Sequence, residues 1–157
     1  MDWEERLAAA WASVDGLDDG DVLELIDGLV DELPATDARG PFEAASVRDY
    51  LGLEALAEPL YRRSLELGLD GERLPQAQIQ LASTLRNLGR LDEAIDLLRA
   101  RLAESPTDRW AAPASAFLAL TLASRGDDRL AASVALIALA DFLPAYGRAV
   151  RSYAAEL

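Results

Sequence analysis

The sequence contains no cysteine, no histidine and no lysine, because all fifteen of its basic residues are arginine. The absence of cysteine and histidine excludes disulfides, the usual zinc ligands and every catalytic arrangement that pairs histidine with serine or cysteine. The absence of lysine excludes Schiff-base chemistry and the P-loop lysine. No glycine-rich nucleotide-binding motif and no hydrolase nucleophile motif is present. We therefore expect a protein that is not an enzyme and that needs no cofactor.

Several acidic residues lie next to glycine-containing turns, where a metal site is one possible explanation. The segment from Asp15 to Asp21 lacks the calcium-loop spacing, because Leu17 and Ile26 stand where ligands are needed. An acidic residue at the start of a helix accepts backbone hydrogen bonds and interacts favourably with the helix dipole. We therefore predict no metal site and interpret these residues as helix caps: Asp18 or Asp19, Asp92 with Glu93, and Asp127 with Asp128.

The net charge of −13 is unevenly distributed along the chain. Residues 1–37 carry twelve acidic residues and one arginine, whereas residues 38–157 carry sixteen acidic residues and fourteen arginines. Nucleic-acid binding depends on clusters of basic residues, so we expect no nucleic-acid partner. The acidic N-terminal quarter is interpreted as a solvated cap, or alternatively as a surface that meets a basic partner.

The hydrophobic runs are too short to span a membrane. The longest uncharged run, Trp110 to Ser124, has fifteen residues, fewer than the roughly 18–20 that cross a bilayer. The N-terminus is acidic where a secretion signal would be basic. We therefore expect a cytoplasmic protein without a membrane partner.

The composition and the hydrophobic period predict an all-α fold. Leucine, alanine, arginine and glutamate dominate, and no segment alternates apolar and polar residues as a strand does. Glycine and proline interrupt the helical pattern at regular places. The breaks predict about nine helices, over residues 2–14, 19–33, 38–51, 53–67, 72–88, 91–104, 110–125, 128–141 and 145–156.

A period of 37 residues runs through the chain. Gly52, Gly89 and Gly126 are separated by this interval, and one step back lies Asp15, also a turn former. Two columns of small residues share the interval: Ala8, Ala45, Ala82 and Ala119 in the first helices, and Gly20, Ala57, Ala94 and Ala131 in the second helices. The pattern predicts a single domain of helix hairpins, with units of about 1–37, 38–74, 75–111 and 112–143 and a C-terminal helix at 144–157.

The clearest unit, NLGRLDEAIDLL at residues 87–98 followed by Pro106, resembles the tetratricopeptide repeat. The segment IQLASTLRNLGR at residues 79–90 is similar to a signature of small uncharacterised bacterial proteins of that type. The resemblance implies a right-handed superhelix of stacked antiparallel helix hairpins, an α-solenoid. It also implies a non-catalytic protein-interaction module that acts as a homodimer. It carries no assigned site residues.

In such an array, the first helix of each hairpin lines a concave face that binds a protein or peptide partner. Counting from Ala45 and Ala82, we predict that this groove is formed by Arg39, Phe42, Ser46, Asp49, Tyr50, Gln76, Ile79, Ser83, Arg86 and Asn87. The next unit places Pro113, Ala116, Leu120, Ala123 and Ser124 at the same positions, so the groove becomes apolar toward the C-terminus.

Arg86 has two interpretations. With Asn87 it is suited to bind a peptide carboxylate through charge-assisted hydrogen bonds. Alternatively, it pairs structurally with a neighbouring acid such as Asp49.

The C-terminal helices suggest an assembly surface. The run from Leu130 to Ala140 is uncharged and apolar around its whole circumference, so it must be covered on several sides. Either the terminal helix with Tyr146 and Tyr153 covers it within the chain, or a twofold-related copy does. An alternative function is a regulatory domain that binds a small molecule in the apolar end of the groove. A closed cavity lined by Trp110, Phe117 and Leu120 would favour that function. The three tryptophans are interpreted as core or cap residues.

Overall fold

The computed structural model describes residues 1–157 as nine α-helices without a strand, with 72% of the residues in helices. The all-α prediction is confirmed, and every helix ends within three residues of its predicted limits. None of the helices combines the length and the apolar character needed to cross a membrane. The helices are α1 Trp3–Ser13, α2 Asp19–Val30, α3 Arg39–Tyr50, α4 Glu54–Glu66, α5 Arg73–Asn87, α6 Leu91–Glu104, α7 Ala111–Arg125, α8 Asp128–Ala140 and α9 Gly147–Ala154.

The chain divides into two compact units, Met1–Gln80 and Leu81–Leu157, whose boundary falls within α5. In the first unit α1 packs on α2, α2 on α3, and α3 on α4. In the second unit α6 packs on α7, α7 on α8, and α8 on α9. Within each unit, helices that are consecutive in the chain are therefore also neighbours in space, as expected for a repeat array of hairpins. The predicted single domain and its unit boundaries stay predictions.

Glycines close the turns inside the hairpins. Gly52, Gly89 and Gly126 each follow a first helix and have positive φ values of 71°, 78° and 94°, a conformation that glycine adopts without steric cost. At Gly126 the turn closes through a bond from the Asp127 amide to the Leu122 carbonyl, a common helix ending. In the first hairpin the residue with positive φ is Gly16 and not the predicted Asp15. The first interval is therefore 36 residues, because its turn lies one position later.

The small residues of the repeat are buried in every hairpin except the first. Ala8 and Gly20 are exposed, so the small residues of the first hairpin do not lie between its paired helices. Leu7, Ala10 and Val22 are the buried residues of that hairpin instead. The six small residues of the other hairpins that are buried are Ala45, Ala57, Ala82, Ala94, Ala119 and Ala131.

Only some of the predicted caps form. The Asp18 carboxylate caps α2 by accepting from the Asp21 amide at 2.9 Å, which decides between Asp18 and Asp19. Asp127 precedes α8 without a side-chain capping bond and pairs with Arg125 instead. Asp92 also accepts from Arg125, at 2.7 Å. At these two positions an arginine lies within reach, and the pair joins two opposite full charges, whereas a capping bond joins the carboxylate to an uncharged amide.

Each unit has its own apolar core. Fully burying an aliphatic side chain contributes about 1.5–3 kcal/mol relative to leaving it exposed. The first core joins α1, α2 and α3 through Leu7, Ala10, Val14, Val22, Ile26, Leu29 and Val47. In the second unit the buried residues of α6 and α7 include Ile95, Leu98, Leu118 and Leu122.

The terminal helix α9 has eight residues and is the shortest of the nine. It begins in close contact with the end of α8, since a Cβ at Gly147 would lie 2.4 Å from the Ala140 carbonyl oxygen. Its Ala154 is buried. A helix of this length extends only about 12 Å, so it leaves part of the longer α8 uncovered.

Candidate functional site

The predicted groove residues of the first unit differ in exposure although they share two helices. Tyr50, at the end of α3, is the exposed member, with 55% of its surface accessible. Arg39, Ser46, Asp49 and Gln76 are partly buried. The exposed part of this predicted surface is therefore small.

Phe42 and Ile79 are buried, with 4% and 5% of their surfaces exposed. This corrects their predicted position on an open groove. The Phe42 ring packs against Tyr61 of α4, with ring centroids 6.3 Å apart. The residue count from Ala45 predicts a helix face, but it does not predict which large apolar side chains on that face are buried. These two residues support the surface from beneath.

Arg39 is neutralised within the chain. It donates to Asp37 and to Glu4 of α1, at 2.7 Å and 3.0 Å, and its guanidinium lies 4.9 Å from the ring centroid of Trp3. The hydrogen bonds that Arg39 donates to Asp37 and then to Glu4 raise the pKa of Arg39, and the same contact with Arg39 lowers the pKa of Asp37. The predicted groove cation is thus already paired with two carboxylates.

A buried carboxylate, Glu43 of α3, links three helices and was not predicted. One of its oxygens accepts from Arg73 of α5 and the other from the Trp11 indole of α1, both at 3.0 Å. Arg73 also donates to Glu4 at 2.6 Å. Burial raises the pKa of Glu43, while the bonds from Trp11 and Arg73 lower it. One sequence signal could have indicated this buried carboxylate: Glu43 lies two positions before Ala45, a member of the column of small residues.

The remaining contacts of α3 also lie within the chain. The buried Tyr61 hydroxyl donates to Asp49 at 3.2 Å, and burial raises the pKa of Tyr61. Tyr50 meets the edge of Trp11, with ring centroids 6.1 Å apart. Trp3 and Trp11 are partly buried and pack against the first core, in agreement with their interpretation as core or cap residues.

In the second unit the structure brings together polar groups of α5 and α7. Arg86 donates to the Ser124 hydroxyl at 2.8 Å and to the Asn87 side-chain oxygen at 3.4 Å. Asn87 is exposed, whereas Ser83 and Arg86 are partly buried. The Arg86 guanidinium is thus held in a fixed orientation at the surface.

The equivalent positions of α7 form an exposed and mainly apolar line. Leu120 is 50% exposed, and Ala116, Ala123 and Ser124 are also exposed. Pro113 is partly buried. The sequence predicts that these five positions share one mainly apolar helix face.

Two clefts lie at the end of the second unit where α7 begins and α8 ends. The larger has a volume of about 440 Å³ and lies between the loop before α7, these two helices and Arg151 of α9. The smaller, of about 230 Å³, has an almost entirely apolar lining. Neither is lined by Trp110, Phe117 or Leu120, the residues whose closed cavity would favour binding of a small molecule.

An exposed apolar stripe on α8 continues onto the C-terminal segment. α7 packs on one side of α8 and α9 on another, and the remaining side stays exposed. The hydropathy pattern of α8 does not indicate which side of the helix is exposed. Its residues are Ala132, Ala135, Leu136, Leu139 and Phe142, with Tyr146 and Tyr153 exposed nearby in sequence.

The sequence comparisons identify the repeat. The model of the family described as Tetratrico peptide repeat matches residues 38–157, about three quarters of the chain. The chain belongs to this family. Residues 1–37, which form α1 and α2, lie outside the matched segment. No curated protein and no solved structure matches the chain.

Tetratricopeptide repeats generally mediate protein–protein interactions and are typically non-catalytic scaffolds. The residues described above agree with that kind of site. They offer exposed aromatic and aliphatic side chains together with one oriented guanidinium. No group of three or more carboxylates is arranged to hold a metal ion.

Proposed function

We propose that this tetratricopeptide repeat chain is a non-catalytic interaction module that binds an extended or helical segment of another protein. The observation that carries the proposal is the line of exposed apolar residues on α7, centred on Leu120. A contiguous exposed apolar patch marks an interaction site in folded proteins. Arg86, beside this line through its bond to Ser124, adds a polar anchor. Its two described bonds use two of the five guanidinium donors.

Partner capture tests this function. Retention of partner segments by the immobilised chain, followed by titration of a captured segment, measures binding directly. We expect Arg86→Ala to weaken binding about tenfold, because a hydrogen bond to a charged group contributes about 1.5–3 kcal/mol. Leu120→Glu places a charge in the apolar line and is expected to abolish capture. Arg99→Ala, which removes an exposed arginine of α6, is the matched control and should leave capture unchanged.

The melting temperature separates binding from folding in this test. Arg86→Ala and Leu120→Glu should have the same melting temperature as the unsubstituted chain, since both residues are at least partly exposed. If Arg86→Ala lowers the melting temperature and leaves capture intact, Arg86 is a structural residue and the assignment is wrong.

A second part of the proposal is that two copies associate through the C-terminal helices. The exposed stripe of α8 supports it, because α7 and α9 together leave Leu136 and Leu139 uncovered. Phe142 is 70% exposed at the end of the same stripe. A symmetric dimer would bury the stripe of each copy against that of the other, and such dimers are the commonest assemblies.

Light scattering at micromolar concentration tests this association. We expect the unsubstituted chain to have the mass of a dimer and Leu139→Glu the mass of a monomer, because a charge in an apolar interface stays unpaired. Leu130→Glu is the matched control, since Leu130 is exposed on α8 but lies outside the stripe, and it should remain dimeric. A monomer mass for the unsubstituted chain would remove the dimer from the proposal.

A further inference from the structure

Aspartate is followed directly by glycine at four places in the chain. In such a pair the backbone nitrogen of the glycine lies close to the side-chain carboxyl carbon of the aspartate, and no Cβ on the glycine hinders their approach. The structure divides the four pairs into two kinds, according to how firmly the backbone around them is held. The pairs are Asp15–Gly16, Asp19–Gly20, Asp27–Gly28 and Asp70–Gly71.

Two of the four pairs lie in exposed turns between helices. Asp15 and Gly16 lie between α1 and α2, and Asp70 and Gly71 lie between α4 and α5. The two glycines have positive φ values of 102° and 57°. A Cβ at either glycine would contact no atom within 4 Å. The backbone of both turns therefore has space in which to rotate.

Hydrogen bonds do not hold the reacting groups of these two pairs. The first turn is closed by a bond from the Leu17 amide to the Val14 carbonyl at 3.1 Å, in which the Gly16 amide takes no part. The Gly71 amide likewise donates to no backbone carbonyl. The aspartate carboxylates of both pairs are exposed and form no ion pair with an arginine. The nitrogen and the carboxyl group of each pair are thus free to meet.

The other two pairs are held within α2. Gly28 lies inside this helix, where each amide donates to the carbonyl four residues earlier. The Asp27 carboxylate is also bound by Arg48, at 2.9 Å. Asp19 and Gly20 are the first two residues of the helix, so the helix fixes their backbone dihedral angles. In both pairs the glycine nitrogen reaches the carboxyl carbon only after local unfolding.

We propose that Asp15 and Asp70 are sites of spontaneous isomerisation to isoaspartate. The nitrogen of the following glycine forms a bond to Cγ of the aspartate, and the hydroxyl of the carboxyl group leaves together with the amide proton as water. The product is a cyclic succinimide. Water then opens this ring at one of its two carbonyl carbons, which gives back aspartate or yields isoaspartate. The water that is lost is regained, so the reaction needs no other reactant.

Isomerisation at Asp15 changes the turn of the first hairpin. In isoaspartate the main chain runs through Cβ and Cγ, so it gains one atom at this residue. The bond from the Leu17 amide to the Val14 carbonyl spans this position, and Val14 belongs to the first core. We therefore expect the converted chain to have a less stable first unit. This inference is independent of the proposed function, which uses residues of the second unit.

Peptide mapping after ageing of the full chain tests the proposal. The chain is kept warm at neutral pH for several weeks, either folded or unfolded in urea, and is then digested with trypsin. Trypsin cleaves after arginine, so residues 7–39 form one peptide with three of the pairs and residues 64–73 form another with the fourth. Electron-transfer fragmentation distinguishes isoaspartate from aspartate at each position.

The folded chain should show a clear difference between the turns and the helix. We expect Asp15 and Asp70 to convert at least about tenfold faster than Asp27, because conversion of Asp27 requires α2 to open locally. Asp19 should also convert more slowly than Asp15. In urea, where the helix is absent, Asp27 should convert about as fast as Asp15, since each is followed by glycine.

Two variants check the assignment. Asp15→Glu keeps the charge and should abolish conversion at this position, because the longer side chain would have to form a larger ring, while Asp70 continues to convert. After equal ageing, Asp15→Glu should unfold at a higher urea concentration than the unsubstituted chain. Arg48→Ala frees the Asp27 carboxylate and should leave Asp27 unconverted, since the helix still holds the Gly28 amide.

Two results would overturn the proposal. The first is the same conversion rate for Asp15, Asp70 and Asp27 in the folded chain, which would mean that the helix gives no protection. The second is the absence of isoaspartate at Asp15 and Asp70 in the folded chain, which would mean that the two turns hold their backbone as firmly as α2 does.

Discussion

Replacing Arg73 with alanine is expected to lower the free energy of unfolding by about 3 kcal/mol at pH 7, because it leaves a buried carboxylate without its cation. Glu43 is 3% exposed, and its Oε1 atom lies 3.0 Å from Nε of Arg73. The same substitution removes the bond from Arg73 to Glu4 and with it a link between α1 and α5. Urea denaturation followed by circular dichroism measures the loss.

The loss of stability caused by Arg73→Ala should become smaller as the pH falls. Burial raises the pKa of Glu43 above its ordinary value of 4.5, and the contact with Arg73 opposes this. Without Arg73 the folded-state pKa rises further, so between 4.5 and that raised pKa the folded chain binds more protons than the unfolded chain. Stability then increases as the pH decreases through this interval. The variant should therefore recover part of its stability between pH 7 and pH 4.5.

Two comparisons make this result specific. Arg63→Ala removes an exposed pair with Glu66 and should cost less than about 1 kcal/mol. Adding Glu43→Gln to Arg73→Ala should restore part of the stability at pH 7, since no buried charge remains. If Arg73→Ala lowers the free energy of unfolding no more than Arg63→Ala does, or by the same amount at every pH, the contacts of Arg73 with Glu43 and Glu4 do not stabilise the first unit as described.

Replacing Tyr61 with alanine is expected to cost about 4 kcal/mol, the scale of emptying a buried aromatic site. Tyr61 is fully buried on α4 and packs against Phe42 of α3. Tyr61→Phe keeps the ring and removes only the hydroxyl that donates to Asp49, so it should cost about 1 kcal/mol. Denaturation midpoints of the two variants give both values. Equal losses would show that the hydroxyl, and not the packing of the ring, stabilises this hairpin.

The sequence predicted the helices well because their limits depend on neighbouring residues. The limits predicted for α6, 91–104, are those of the structure, and the left-handed turns at Gly89 and Gly126 follow from a residue type that adopts them easily. The 37-residue period is wrong by one residue in the first hairpin, because Gly16 and not Asp15 closes the turn. A count carried over from other hairpins does not detect such a local shift.

The candidate site was predicted less completely. Within α3, the same helix face contains the buried Phe42 and the exposed Tyr50, and the helical period does not distinguish them. The exposed stripe of α8 could not be assigned to a side, because the apolar residues surround the helix and only the packing of α7 and α9 leaves one side open.

The sequence by itself determined the helical class and the helix limits, since these follow from interactions between residues less than about five positions apart, and the regular spacing of glycines indicated the hairpin repeat. Only the tertiary structure decided which side chains are buried, paired or exposed. Glu43 meets Trp11 and Arg73 across 32 and 30 residues of chain, and the larger cleft of the second unit combines residues from four helices and a loop. Such contacts depend on how whole helices pack, and no local pattern specifies them.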